Sequence, residues 1–98
     1  MRFEVFHSPL SKARGLMFSR KRNLVFVFEE EKRRSLHMFC VFFPIDILFL
    51  DKDKRIVEIK KGFKPFSFYR SKEKAQFVVE LVEDNNYKTG QIFNLPPL

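Results

Sequence analysis

The chain is 98 residues long, enough for one domain around one core. Hydrophobic residues make up 45% of it and charged residues 32%, which excludes a disordered tail or linker. One cysteine excludes an internal disulfide framework and a cluster built on several thiolates, and the net charge of +7 sets the class of partner to be considered.

That charge is uneven. Residues 1–34 hold nine Lys/Arg against four Glu, a balance of +5, and residues 35–98 hold ten against eight acids, a balance of +2. Basic charge can attract nucleic acid, acidic partners or anionic lipid, and it also keeps a Phe-rich domain soluble. The aromatic set is fourteen Phe, two Tyr and no Trp, so most rings are expected in the core. No apolar stretch of signal-peptide length opens the chain, and the longest apolar run, residues 38–45, is too short to span a bilayer. A cytoplasmic protein is expected.

Residues 2–6 alternate, with Phe3 and Val5 against Glu4, and read as a short strand. Ser8-Pro9 breaks it. Ser11 can cap a short helix over residues 12–17, although Gly15 lies inside it. Residues 24–28, Leu-Val-Phe-Val-Phe, are β-prone without polar alternation, so that strand is expected to be buried on both faces. Residues 29–34, three acids then three bases, read as a loop or hairpin tip.

A second apolar run over residues 36–43 ends at Pro44, where the chain must bend or bulge. Residues 45–50 and 55–61 form a hairpin around the turn at 51–54. In its second strand Val57 and Ile59 are expected on one face, with Glu58 and Lys60 on the other. Residues 71–74 are expected to be polar and exposed. Residues 76–82 alternate, with Phe77, Val79 and Leu81 inward and Gln76 and Glu80 outward. Residues 91–95 read as a last strand before Pro96-Pro97. The fold expected is mainly β (β-rich α+β), a single domain over residues 1–98. It is a compact, mostly antiparallel, barrel-like sheet of about seven short strands with one short helix.

Several of these segments carry a resemblance. Ala13-Arg14-Gly15-Leu16-Met17-Phe18, the run at 24–28, Met38, and Pro44-Ile45-Asp46-Ile47-Leu48-Phe49-Leu50-Asp51 together resemble the domain of unknown function 192 family. Val79-Glu80-Leu81 and Lys88-Thr89-Gly90 follow in order. The resemblance implies a compact β-rich fold and assigns no activity. The chain departs from the family where Leu36-His37-Met38-Phe39-Cys40-Val41 replaces a stretch that typically reads Phe-Trp-Met-Lys-Asn-Thr. It departs again at Lys54, where the family often has Gly; a left-handed Lys there would cost roughly 1 kcal/mol. Gln91 stands where the family often has Asp.

Asp46 is the most informative single residue, since it sits between Ile45 and Ile47 in an apolar strand. An ionised carboxylate buried alone costs several kcal/mol, so it needs a partner. Arg14 is the expected partner, because the two residues fall in the two most specific pieces of the resemblance. The structural alternative is a backbone-bonded or ion-paired Asp46 that fixes the bend after Pro44. His37, Met38 and Cys40 are soft donors, but one of each is an incomplete metal site, and core packing is the plainer role. No nucleophile motif, glycine-rich phosphate loop or calcium loop is present.

The expected function is a non-catalytic binding or accessory module with its pocket near Arg14 and Asp46, and with His37 and Met38 as further candidate ligand-binding residues. No cofactor or metal is implied, the partner is an unnamed ligand or protein, and a membrane is not expected. The alternative is nucleic-acid binding through Lys12, Arg20, Lys21 and Arg22, the basic N-terminal region.

Overall fold

The computed structural model describes residues 3–7, 23–37, 44–64 and 67–98. They build one five-stranded sheet from β1 (Phe3–Phe6), β2 (Asn23–His37), β3 (Ile45–Leu50), β4 (Ile56–Phe63) and β5 (Phe68–Leu81). The spatial order is β1-β2-β5-β3-β4. β1 runs parallel to β2, and the other three pairs are antiparallel.

The mainly β expectation holds, but strand number and closure are corrected. The described residues form five strands rather than about seven, and the sheet keeps two edges, β1 and β4, instead of closing into a barrel. No helix occurs among the described residues, and the one expected over residues 12–17 lies outside them.

The shortfall in strands comes from two breaks that are not breaks. The charge block at 29–34 lies inside the 15-residue β2, and the polar stretch at 71–74 lies inside the 14-residue β5. Register shifts between Val27 and Lys32, and again between Arg33 and Ser35, absorb the misfit. Arg34 folds back with its guanidinium 3.8 Å from the Phe28 ring centroid, and its Nε donates to the Ala75 carbonyl at 3.0 Å. Ser71 is buried, not exposed. Its hydroxyl accepts from the Arg34 N–H and donates to the Glu73 carbonyl, each at 2.8 Å, where the ladder is interrupted. The strand expected over residues 91–95 shrinks to one bridge between Arg55 and Ile92. Phe93 turns into the core there, and Pro96-Pro97 can donate no ladder bond.

Both faces of the sheet are covered. Leu24, Phe26, Ile45, Ile47, Phe49 and Val78 belong to one apolar cluster, while Val25, Leu48, Leu50, Phe77, Val79 and Leu81 belong to the other. Strand alternation divides them, and the run at 24–28 serves both clusters as expected. Phe93, Tyr87 and Phe3 complete the second cluster, with Phe93 at 5.0 Å from Tyr87 and 5.9 Å from Phe3 between ring centroids.

The β3–β4 hairpin is present as expected. Asp51 Oδ1 accepts from the N–H groups of Asp53 and Arg55 at 2.9 and 3.0 Å, which organises the turn. Lys54, where the family often has Gly, is left-handed, with φ 67°. Val57 and Ile59, however, serve opposite clusters. A bulge between the Phe49–Glu58 and Leu50–Ile56 pairs inserts one residue into β4 and breaks the alternation there.

Candidate functional site

Asp46 reaches three donors. Its Oδ1 accepts from the Gly62 N–H at 2.9 Å; its Oδ2 accepts from Asn85 Nδ2 at 2.9 Å and pairs with the Lys61 ammonium at 3.2 Å. Partial burial opposes ionisation of this carboxyl. The Gly62 N–H, Lys61 and Asn85 outweigh it, so its pKa lies below the usual carboxylate value. Gly62 is left-handed, with φ 56°, at a second bulge where β4 carries an extra residue between the Ile47–Lys60 and Ile45–Phe63 pairs. A glycine accepts that conformation without strain, and the carboxylate caps its N–H. Asp46 is therefore the clamp of this bulge. Arg14, its expected partner, lies outside the described residues, as do Met38, Lys12, Arg20, Lys21 and Arg22. His37 ends β2 with its backbone opposite Phe68.

Adjacent strand residues face opposite ways, so Lys60 and Lys61 part. Lys61 joins Asp46, while the Lys60 ammonium sits 5.5 Å from the centroid of the Tyr69 ring. Tyr69 packs against Phe49 at 5.9 Å and Phe63 at 6.4 Å between centroids. Its hydroxyl donates to Glu58 Oε2, and this carboxylate pushes the phenol pKa up to about 12. Glu58 Oε1 accepts from the N–H groups of Lys72 and Glu73 at 2.7 and 2.9 Å. One side chain thus ties edge strand β4 to β5 across a gap that no ladder bridges.

The end of β4 and the start of β5 enclose a groove of about 230 Å³, lined by Lys60, Gly62, Lys64, Ser67, Phe68 and Tyr69 among others. Its aromatic wall is fixed: Tyr69 is held by two rings and a carboxylate. Its cations, Lys60 and the exposed Lys64, stand beside that wall. Phe68 is 58% exposed at the mouth. Sequence reading missed this groove although its lining falls within residues 60–69, because only the fold shows that the end of β4 and the start of β5 face one cleft. Phe-Tyr beside Lys-Pro at 64–69 was the available signal.

A second carboxyl was also missed. Glu80, expected outward, is 4% exposed in β5, with Leu24 of β2 and Ile47 of β3 as its cross-strand neighbours. Among the described residues no donor reaches it. Burial alone pushes its pKa up to about 8, so it is mostly neutral at pH 7. The signal was the unbroken apolar triplet Phe77-Val78-Val79, which marks a central strand buried on both faces.

Among the described residues no group of three His, Cys, Asp or Glu converges as a metal site, and no helix is long and apolar enough to cross a membrane.

Comparison with known proteins fits this picture. The chain is 39% identical over 96 residues to a UPF0127 protein of Thermococcus kodakarensis, covering 90% of this chain and 60% of the relative. It is 37% identical over 76 residues to a UPF0127 protein of Pyrococcus horikoshii, covering 74% and 65% respectively. The chain therefore spans less than two thirds of the length of these relatives. The crystal structure of a "putative transcription regulator" from Sinorhizobium meliloti is similar, with TM-score 0.71 and 28% identity over 81% of this chain and 66% of that one. A protein of unknown function from Novosphingobium aromaticivorans shares the fold, with TM-score 0.71 and 22% identity over 82% of this chain and 61% of that one. The family model of uncharacterized conserved proteins, DUF192, matches residues 1–90, and the chain belongs to that family.

Proposed function

We propose that the chain is a non-catalytic binding module whose groove between β4 and β5 takes an anionic ligand carrying an aromatic ring, the chemistry of a nucleotide. One observation supports this reading above the rest: an immobilised Tyr69 ring beside two lysines in a cleft of about 230 Å³. The ring supplies a stacking surface and the ammonium groups supply phosphate contacts. Asp46, the carboxylate singled out by sequence, already accepts from three donors, so the groove it braces through Gly62 is the site we favour over Asp46 itself. The name of the Sinorhizobium relative agrees with a nucleotide-containing ligand, but the groove carries the argument.

Titration of the full chain with adenosine 5′-monophosphate, followed by amide chemical shifts, tests the reading. Shifts at Gly62, Ser67 and Tyr69 are expected, weaker with adenosine or inorganic phosphate alone, and reduced in Lys60→Gln. No shift at these amides at millimolar nucleotide would refute it.

A further inference from the structure

The groove opens onto a surface that the proposed function leaves unused. In the first half of β5, Tyr69, Ser71 and Ala75 turn inward, while Phe68, Arg70, Lys72 and Lys74 are exposed. Arg33 of β2 is also exposed and lies in register opposite Lys74. The other cations of this two-stranded arm are engaged. Lys32 pairs with Glu30 at 2.9 Å, and Arg34 is folded over Phe28. Arg33 Nε donates to the Ser71 carbonyl at 2.9 Å, which positions its guanidinium and leaves its remaining N–H groups outward. No ion pair among the described residues involves Arg33, Arg70, Lys72 or Lys74. The acids of this arm are Glu29, Glu30 and Glu31 of β2 and Glu73 of β5, with Glu58 of β4 alongside. Glu30 pairs with Lys32, Glu31 accepts from the Lys52 N–H and Glu58 is taken up by three donors.

We propose that this arm is a track for single-stranded nucleic acid, running from Arg33 and Lys74 to Phe68 and into the groove at Tyr69 and Lys60. The inference rests on the groove reading and names its occupant. A row of uncompensated cations that ends at aromatic rings matches a charged backbone carrying stackable bases. A duplex keeps its bases stacked inside and offers nothing to a cleft that admits one ring. An acidic peptide would satisfy the cations and leave the rings unused.

The test is fluorescence anisotropy of the full chain with labelled 15-mers of thymidine and of uridine, with a hairpin duplex and phosphatidylserine vesicles as controls. The four cations of the arm alone contribute about −3 to the log–log salt slope, or roughly a fifty-fold loss of affinity between 50 and 200 mM salt, beyond what the groove adds. Replacing two of those four, in Arg70→Gln/Lys74→Gln, is expected to halve the arm's contribution while leaving the melting temperature and the adenosine 5′-monophosphate shifts unchanged. If the mononucleotide binds but the 15-mers bind no better, or the arm substitution leaves their slope intact, the track is refuted and the groove stands. If neither binds, both readings fall. Equal or tighter binding of the duplex or the vesicles, weakened by the same substitution, overturns the single-stranded assignment.

Discussion

Replacing Glu80 by Gln removes one ionisation from the centre of the sheet with little change of shape. In the folded chain this carboxyl has a pKa of about 8, raised by burial, against a reference value of 4.5. Between those two values the unfolded chain releases the proton and the folded chain keeps it. A raised folded pKa contributes stability that is fully present below pH 4.5 and is lost as pH rises toward 8. Each pH unit costs about 1.4 kcal/mol, so the loss is about 3 kcal/mol by pH 7 and approaches 5 kcal/mol above pH 8. In a domain of this size 3 kcal/mol is roughly 15 °C of melting temperature. The assay is thermal unfolding by circular dichroism at half-unit steps from pH 4.5 to 8.5, with wild type and Glu80→Gln compared at each step. Subtraction cancels the titration of every other group. The two melting temperatures should be close at pH 4.5 and diverge in favour of Gln as pH rises. A difference that stays constant across the range would refute the assignment of Glu80 as a buried, mostly neutral carboxyl.

Other expectations follow from the hairpin and the groove. Lys54 is left-handed, so Lys54→Gly should stabilise the fold by up to about 1 kcal/mol in denaturant unfolding, and a loss of stability would contradict the turn geometry. Asp46→Ala leaves the Gly62 N–H and Asn85 without their acceptor and should cost roughly 1–3 kcal/mol, whereas an unchanged midpoint would remove Asp46 from its clamping role. The depressed pKa of Asp46 places its stabilisation above the unfolded carboxylate value and predicts its loss as pH falls through the folded one. Glu58→Gln should bring the Tyr69 phenol down from about 12 toward 10, read by ultraviolet difference absorption, because the carboxylate is the main cause of that shift.

What the sequence made legible was local. Alternation and turn chemistry marked strands at 45–50 and 55–61, the second of which runs Ile56–Phe63, because a hairpin is settled by adjacent residues. The run at 24–28 disclosed a strand buried on both faces. The long strands were harder, because bulges let them pass through polar segments. Arg34 is tolerated inside β2 because the Phe28 ring of the same strand and the Ala75 carbonyl of β5 receive it. Ser71 is tolerated inside β5 because Arg34 and Glu73 satisfy its hydroxyl. Glu80 was misjudged for the converse reason. Alternation over residues 76–82 put it outward, although the apolar Phe77-Val78-Val79 beside it already marked a strand covered on both faces.

Asp46 and the groove belong to one mechanical unit. The carboxylate caps Gly62 and holds Lys61, and the neighbouring Lys60 on the same stretch of β4 stands by the Tyr69 ring. In the proposed reading, Asp46 acts on the groove ligand through the backbone it holds. Loss of the clamp should therefore weaken nucleotide binding at the groove without any contact between Asp46 and the ligand. Asp46→Asn keeps an oxygen acceptor for the Gly62 N–H and should preserve binding better than Asp46→Ala. If the two variants weaken binding equally while both remain folded, the carboxylate charge, and not the bulge it holds, is what the ligand senses.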